Sequence, residues 1–261
     1  MASMIGNRTH TFHADASAFG GHIEQPFEKV IAAQAPLTLS PDGGYASSRA
    51  ENFKVEGLFS FKSAYTQVSG IVSRKRPGWT TLATSVIEGL NISEILTADR
   101  VVAQIITEHP AEPDRHFPFV NFVGTRFDNL RVGSCHLDIE LDLDLCKPAK
   151  ADNHGFPDQH TMEDAAFLQR VKSSPQYNSP DIDKNQVQCS LFSKANVRGR
   201  LPGTLQGNVL TIPGFGKAIL AELIVDANAY RLSMLRLQLG SPTTGGISVA
   251  NAISNGSTYP P

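Results

Sequence analysis

The stretch Leu137-Asp138-Ile139-Glu140-Leu141-Asp142-Leu143-Asp144-Leu145 alternates apolar and acidic residues without a break. Wound as a helix, it would scatter its apolar side chains around the cylinder. Extended, it places Leu137, Ile139, Leu141, Leu143 and Leu145 on one face and the carboxylates on the other. It therefore reads as a strand with one buried face. The same period of two runs through much of the chain. Phe53 to Phe61 reads as a strand with Phe53, Val55, Phe59 and Phe61 on one side and Lys54, Glu56 and Ser60 on the other, Leu58 being the exception. Thr80 to Glu88 is rich in Thr, Ser, Val and Ile, types favoured on a pleated surface, and Leu96 to His109 reads as a further strand. Asn208 to Ile212 and Lys217 to Asp226 flank Pro213-Gly214-Phe215-Gly216, where proline presets one backbone angle and the glycines permit positive ones. Arg231 to Leu239 changes the parity of its apolar set between Met234 and Leu235, as a bulge requires. The last twenty residues are turn-rich and read as a short edge strand with a loose tail.

Composition points the same way. The charged fraction of 18% lies below the average of roughly 25%. With 21 Gly and 16 Pro in 261 residues, it favours strands and turns over long solvated helices. Lys and Arg number 23 against 25 Asp and Glu, a net charge of -2, which excludes the basic footprint of a dedicated nucleic-acid binder. The expected architecture is all-β: an antiparallel sandwich or flattened barrel of about ten strands forming a single domain over residues 1–261.

Residues 147–188 depart from this pattern. They are polar and rich in Pro, Asn and Asp, and they hold a single expected helix at about 161–174. Thr161 is the expected N-cap, with Glu163 and Asp164 in the first turn, Phe167, Leu168 and Val171 as an apolar stripe, and Pro175 as the stop. Connections are usually ~4–6 residues, so an insertion of this length reads as a functional cover or partner-binding arm, or as a plug over an open end of the sheets.

The first residues, MASMIGNRTHTFHADASAFGGHIE, hold no apolar core of signal-peptide length, and no window reaches the ~20 apolar residues of a spanning helix. A soluble chain is expected, cytoplasmic by default and secreted if a signal has been removed. Cys135, Cys146 and Cys189 are scattered, with no CxxC pair, and read as reduced, buried thiols.

Four segments also carry a family likeness. They are Thr81-Leu82-Ala83-Thr84-Ser85 with Glu88-Gly89-Leu90-Asn91, then Leu96-Thr97-Ala98-Asp99-Arg100-Val101, then Phe127-Asp128-Asn129-Leu130-Arg131-Val132-Gly133, and finally Ile212-Pro213-Gly214-Phe215-Gly216. Their order resembles that in bacterial choice-of-anchor P domains, over residues 10–145 and 205–240. The resemblance implies a single β domain and no activity. Proteins of that family are mostly secreted or surface-anchored, whereas this sequence shows neither signal nor anchor and adds the insertion.

Chemistry-bearing residues are dispersed. Neighbouring members of the stripe Asp138, Glu140, Asp142 and Asp144 would sit about 6.6 Å apart and diverge, which is unlike a calcium loop. Their expected cationic neighbours are Arg126, Arg131, Arg231 and Arg236. Leu96 to His109 mixes apolar and polar side chains at both parities, as expected for a strand with a core on one side and a polar lumen or oligomer interface on the other. Arg100 and Glu108 would lie about 26 Å apart and cannot share a site, so Glu88 on the preceding strand is the natural partner of Arg100. Glu88, Arg100, Glu108, His109 and Arg126 are the candidate binding residues. In an extended N-terminal strand His10 and His22 would share a face about 40 Å apart, with His13 opposed, which is no ligand spacing. His154 and His160, near Asp152, Asp158 and Glu163, read as a solvated loop. No metal and no cofactor is expected, since HExxH, phosphate-loop and GxSxG patterns are missing from the sequence.

The reading is a non-enzymatic binding or structural β module that holds a small apolar ligand or assembles with itself as a homo-oligomer. It has no nucleic-acid partner and no membrane span. The alternative is a cofactor-free lyase, isomerase or hydrolase whose cavity is capped by residues 147–188, with Glu88, Arg100 and a histidine as acid–base groups.

Overall fold

The computed structural model describes residues 3–5, 8–55, 57–73, 78–111, 117–176, 181–183 and 185–259. It is an all-β sandwich of two antiparallel sheets. Ten strands of seven or more residues form its body: β1 (Arg8–Gln25), β2 (Gly44–Val55), β3 (Phe59–Val72), β4 (Gly78–Ile92), β5 (Leu96–Pro110), β6 (Cys135–Leu141), β7 (Phe192–Arg198), β8 (Gly216–Asp226), β9 (Tyr230–Leu239) and β10 (Thr244–Tyr259). Shorter strands line the edges. One sheet runs β1-β10-β9-β8, and Gln186–Ser190 and Val209–Ile212 both pair with β8. The other runs β7-β6, then Leu130–Val132, then β5-β4-β3-β2. No helix among the described residues is long and apolar enough to cross a membrane.

Several sequence expectations change in detail. Phe53 to Phe61 is not one strand but the closing end of the β2–β3 hairpin, turning at Gly57 (φ +72°). The same aromatics still share the inner face, because Phe53 and Phe61 are cross-strand partners with rings stacked 4.9 Å apart. Leu58 was the exception because it lies in the turn; Glu56 lies outside the described residues. The acidic strand ends at Leu141, so Asp142 and Asp144 belong to the following turn. The chain's last strand is neither short nor at an edge. β10 has 16 residues and sits between β1 and β9, so the first and last long strands lie side by side in the middle of one sheet.

Both sheets invert their pleat along a transverse line. In β5 the buried positions are Leu96 and Ala98 on one side of Asp99, then Val101, Ala103 and Ile105 on the other. β4 switches opposite this point, at Gly89 (φ +65°). The mixture of types on both parities of Leu96–His109 is therefore one apolar and one polar face exchanged midway, not a lumen facing a core. β9 changes parity at Met234 and Leu235 as expected. No residue is inserted, however: Leu220 pairs with Leu235 and Glu222 with Ser233 at constant register. The turnover is carried instead by left-handed residues in the neighbouring strands, Ala221 (φ +48°) and Ala250 (φ +50°). Such backbone costs roughly 1–2 kcal/mol per non-glycine residue, and alanine is the smallest side chain that still fills the core there.

The insertion is more deeply embedded than a cover. A 3₁₀ turn, Thr161–Glu163, precedes α1 (Ala165–Ser173). The N-cap of α1 is Asp164, whose carboxylate accepts from the Ala166 amide, and not Thr161. Phe167 and Val171 are fully buried within the same hydrophobic core as the sheets. The Arg170 side chain ties the helix to the carbonyls of Leu145 and Lys147.

Candidate functional site

Glu88 and Arg100 face each other across β4 and β5 on the outer side of the sheet. Arg100 Nε donates to Glu88 Oε1 at 3.0 Å, and Ser63 Oγ donates to Oε2 at 2.8 Å. The Arg100 hydrogen bonds, then that from Ser63, hold the Glu88 carboxyl below its ordinary pKa, while Glu88 raises that of Arg100. Asp128 lies opposite Arg100 on the other flank and accepts from Arg126 Nε at 3.1 Å. Glu88, Arg100 and Arg126 thus gather in one chain of alternating charge. Every member has a partner of opposite sign, and both Glu88 and Arg100 are about one-third exposed. This is a solvent-screened lattice of paired charges, in which each pair contributes about 0–1 kcal/mol.

Glu108 and His109 do not join it. Glu108 points to the outer face, between Thr80 and Phe119, while His109 points inward and is buried. His109 belongs to a cluster at one end of the sandwich. The His10 ring lies 4.7 Å from His109, 5.0 Å from Trp79 in a stacked arrangement, and 4.7 Å from Phe12 edge-on. Burial pushes His10 down to about 4, and burial followed by the proximity of His10 drives His109 well below the usual imidazole range. His109 Nε2, Trp79 Nε1 and Thr81 Oγ1 are buried with no hydrogen-bond partner among the described residues. Next to this cluster a hydroxyl layer crosses the core. Thr107 and Ser254 bond across the two sheets at 3.0 Å, and Tyr230 reaches Thr161 of the insertion at 2.6 Å. Burial raises the Tyr230 phenol and the thiols of Cys146 and Cys189. At neutral pH every one of these interior groups is uncharged. The two imidazoles are held in ring contact with each other, with Trp79 and with Phe12.

His10 and His22 do not share a face, because β1 also turns over, between Ala18 and Phe19: His10 is buried and His22 exposed. Among the described residues no three His, Cys, Asp or Glu side chains converge as metal ligands. The acidic stripe is neutralised by β7, and not by Arg126, Arg131, Arg231 or Arg236. Arg198 meets Asp138 at 2.5 Å and Lys194 meets Glu140 at 3.1 Å. Arg236 instead binds Glu222 with two hydrogen bonds, of 2.7 and 2.6 Å, and Gln188 donates to the same carboxylate at 2.6 Å. Sequence reasoning missed this nearly buried glutamate, although Glu222 stands in the apolar run Ala218–Val225 as its one charge.

Surface depressions offer further possible ligand sites, among them a small one beside Asp15, Leu37 and Asn251. A cleft of about 540 Å³ lies within the insertion, beside Lys150, Asp158 and Asp164, and Asp164 is committed to capping α1 and to the Ala149 amide. A groove of about 430 Å³ lies at the end of the sandwich remote from the histidines, lined by Ile95, Pro202, Ile212 and Pro213.

Residues 10–180 and 169–226 match the family described as a domain of unknown function (DUF8256). The chain belongs to this family. The matched residues include the insertion, so α1 and its flanks fall within the family's extent together with the sheets. No curated protein and no solved structure matches the chain.

Proposed function

We propose that this DUF8256 domain is a non-enzymatic structural and binding module that works through its surfaces and assembles with itself. The observation that carries this reading is the disposition of its ionisable side chains. On the outside many meet an opposed charge, as in Glu88–Arg100, Arg126–Asp128, Asp138–Arg198 and Glu140–Lys194, and the nearly buried Glu222 is held by Arg236. The interior imidazoles, thiols and phenol are neutral. An enzyme needs a charged or proton-exchanging group aimed at an accessible space. Between the sheets, that space is filled by Phe19, Phe59, Trp79, Phe122 and Tyr230. The likeness to choice-of-anchor P domains fits this reading, since its segments fall on β4, on β5, on the short strands beside β5 and on the β8 turn, all of them framework.

A small apolar ligand is a second reading, favoured only by the groove at Ile95, Pro202, Ile212 and Pro213. Native mass spectrometry of the purified chain separates the two. A multimer of unliganded chains is expected; a monomer carrying added small-molecule mass would overturn assembly in favour of ligand binding.

A further inference from the structure

The edges of the two sheets differ in how they are closed. Edge strands expose unpaired N–H and C=O groups, and proteins blunt them by shortness, proline or charge. In the first sheet the edge segments are Ser3–Ile5, Lys29–Gln34, Leu37–Thr38, Asp181–Ile182 and Thr204–Gln206, none longer than six residues, half the length of β2. In the second, β7 is seven residues long and carries Lys194 and Arg198, so a second β7 laid against it would bring cation to cation. At the opposite edge lies β2, with 12 residues and no proline. It pairs only with β3, and among the described residues its outer edge has no strand partner.

β2 is also suited to its own image. Asn52 has φ +52°, which turns the pleat over within the strand and leaves Gly44–Glu51 with a single alternation of faces. Within that span Tyr45, Ser47, Arg49 and Glu51 face outward and Ala46, Ser48 and Ala50 are half-buried towards the core. The charges cancel within the strand, Arg49 meeting Glu51 at 2.7 Å. In an antiparallel pair the partners of residue i sum to a constant, and a two-fold axis at Ser48 sets Ser48 against Ser48, Ser47 against Arg49, Ala46 against Ala50 and Tyr45 against Glu51. No like charges meet directly, and the inner row consists only of small side chains. Tyr45 is 66% exposed, and its diagonal neighbour on β3, Ile71, is 54% exposed, an apolar corner that such a pairing would help cover.

We infer that β2 is the self-association edge: two copies join antiparallel through Tyr45–Glu51, merging their second sheets into one. This rests on the self-assembly reading and gives it a partner, a second copy of this chain, and a register. The test is cysteine cross-linking of the full chain under mild oxidation, with sedimentation alongside. Because the native thiols are buried, Ser48→Cys should convert nearly all the protein into a reducible dimer, while Asn196→Cys on β7 should leave it uncross-linked. Ser48→Lys should reduce wild-type dimer to a monomer that keeps the folded β circular-dichroism spectrum and a cooperative unfolding transition. If wild type associates but Ser48→Lys does so equally, or Asn196→Cys cross-links as well as Ser48→Cys, the β2 edge is wrong and self-assembly stands. If wild type remains a monomer, both fail.

Discussion

Glu88–Arg100 and Glu222–Arg236 are the same chemistry in different settings. The first pair is about one-third exposed on both sides; in the second the glutamate side chain is only 9% exposed. Removing a cation from a buried carboxylate strands a charge, at a cost of about 3–5 kcal/mol, whereas an exposed pair contributes about 0–1 kcal/mol. Arg236→Met should therefore lower unfolding stability by about 3 kcal/mol or more, and Arg198→Met by less than about 1 kcal/mol. Urea denaturation at constant m-value checks this, and equal effects would contradict it. The buried imidazoles set the acid response. His10 falls from 6.5 in the unfolded chain to about 4 when folded, so the unfolded state takes up its proton first as pH drops. The stabilisation is complete above about pH 6.5 and fades towards pH 4, a loss on the order of 3 kcal/mol from this group. His10→Phe, which keeps the stacking on Trp79, should flatten the stability–pH curve across that window by about one proton. A curve of unchanged slope would mean that His10 is not buried as a neutral ring.

At the scale of elements, α1 decides between a cover and a part of the core. Phe167 contacts the shared core at zero exposure, so Phe167→Ala should cost about 3–5 kcal/mol, as for a core aromatic. A loss under about 1 kcal/mol would restore α1 to the role of a detachable lid. The strands themselves were largely legible in the sequence, because period-two patterning depends on neighbours along the chain. The Pro213–Gly216 turn was legible for the same reason. What hid were features written across strands. Asp99, Met234 and Ala250 lie where pleats turn over, and a single strand shows this only as confused parity. β10 was misjudged because Gly245, Gly246 and Gly256 resemble loop glycines. Gly245 and Gly256 are required by close approach: a Cβ on Gly245 would collide with the backbone of His22 and Ile23, and one on Gly256 with the ring of His10. The Glu88–Arg100 pairing followed from hairpin geometry. The partners of Asp138 and Glu140 did not, because β7 lies beyond the insertion in sequence.

For the whole molecule, opposed charges pair across the outer faces, Arg236 balances the buried Glu222, the interior is filled, and most strand edges are short or guarded by cations. The proposal that the domain associates with itself meets its plainest test in sedimentation velocity of the full chain over a wide dilution series. The predicted result is a concentration-dependent equilibrium between monomer and dimer. A single monomeric species at every concentration would contradict the claim.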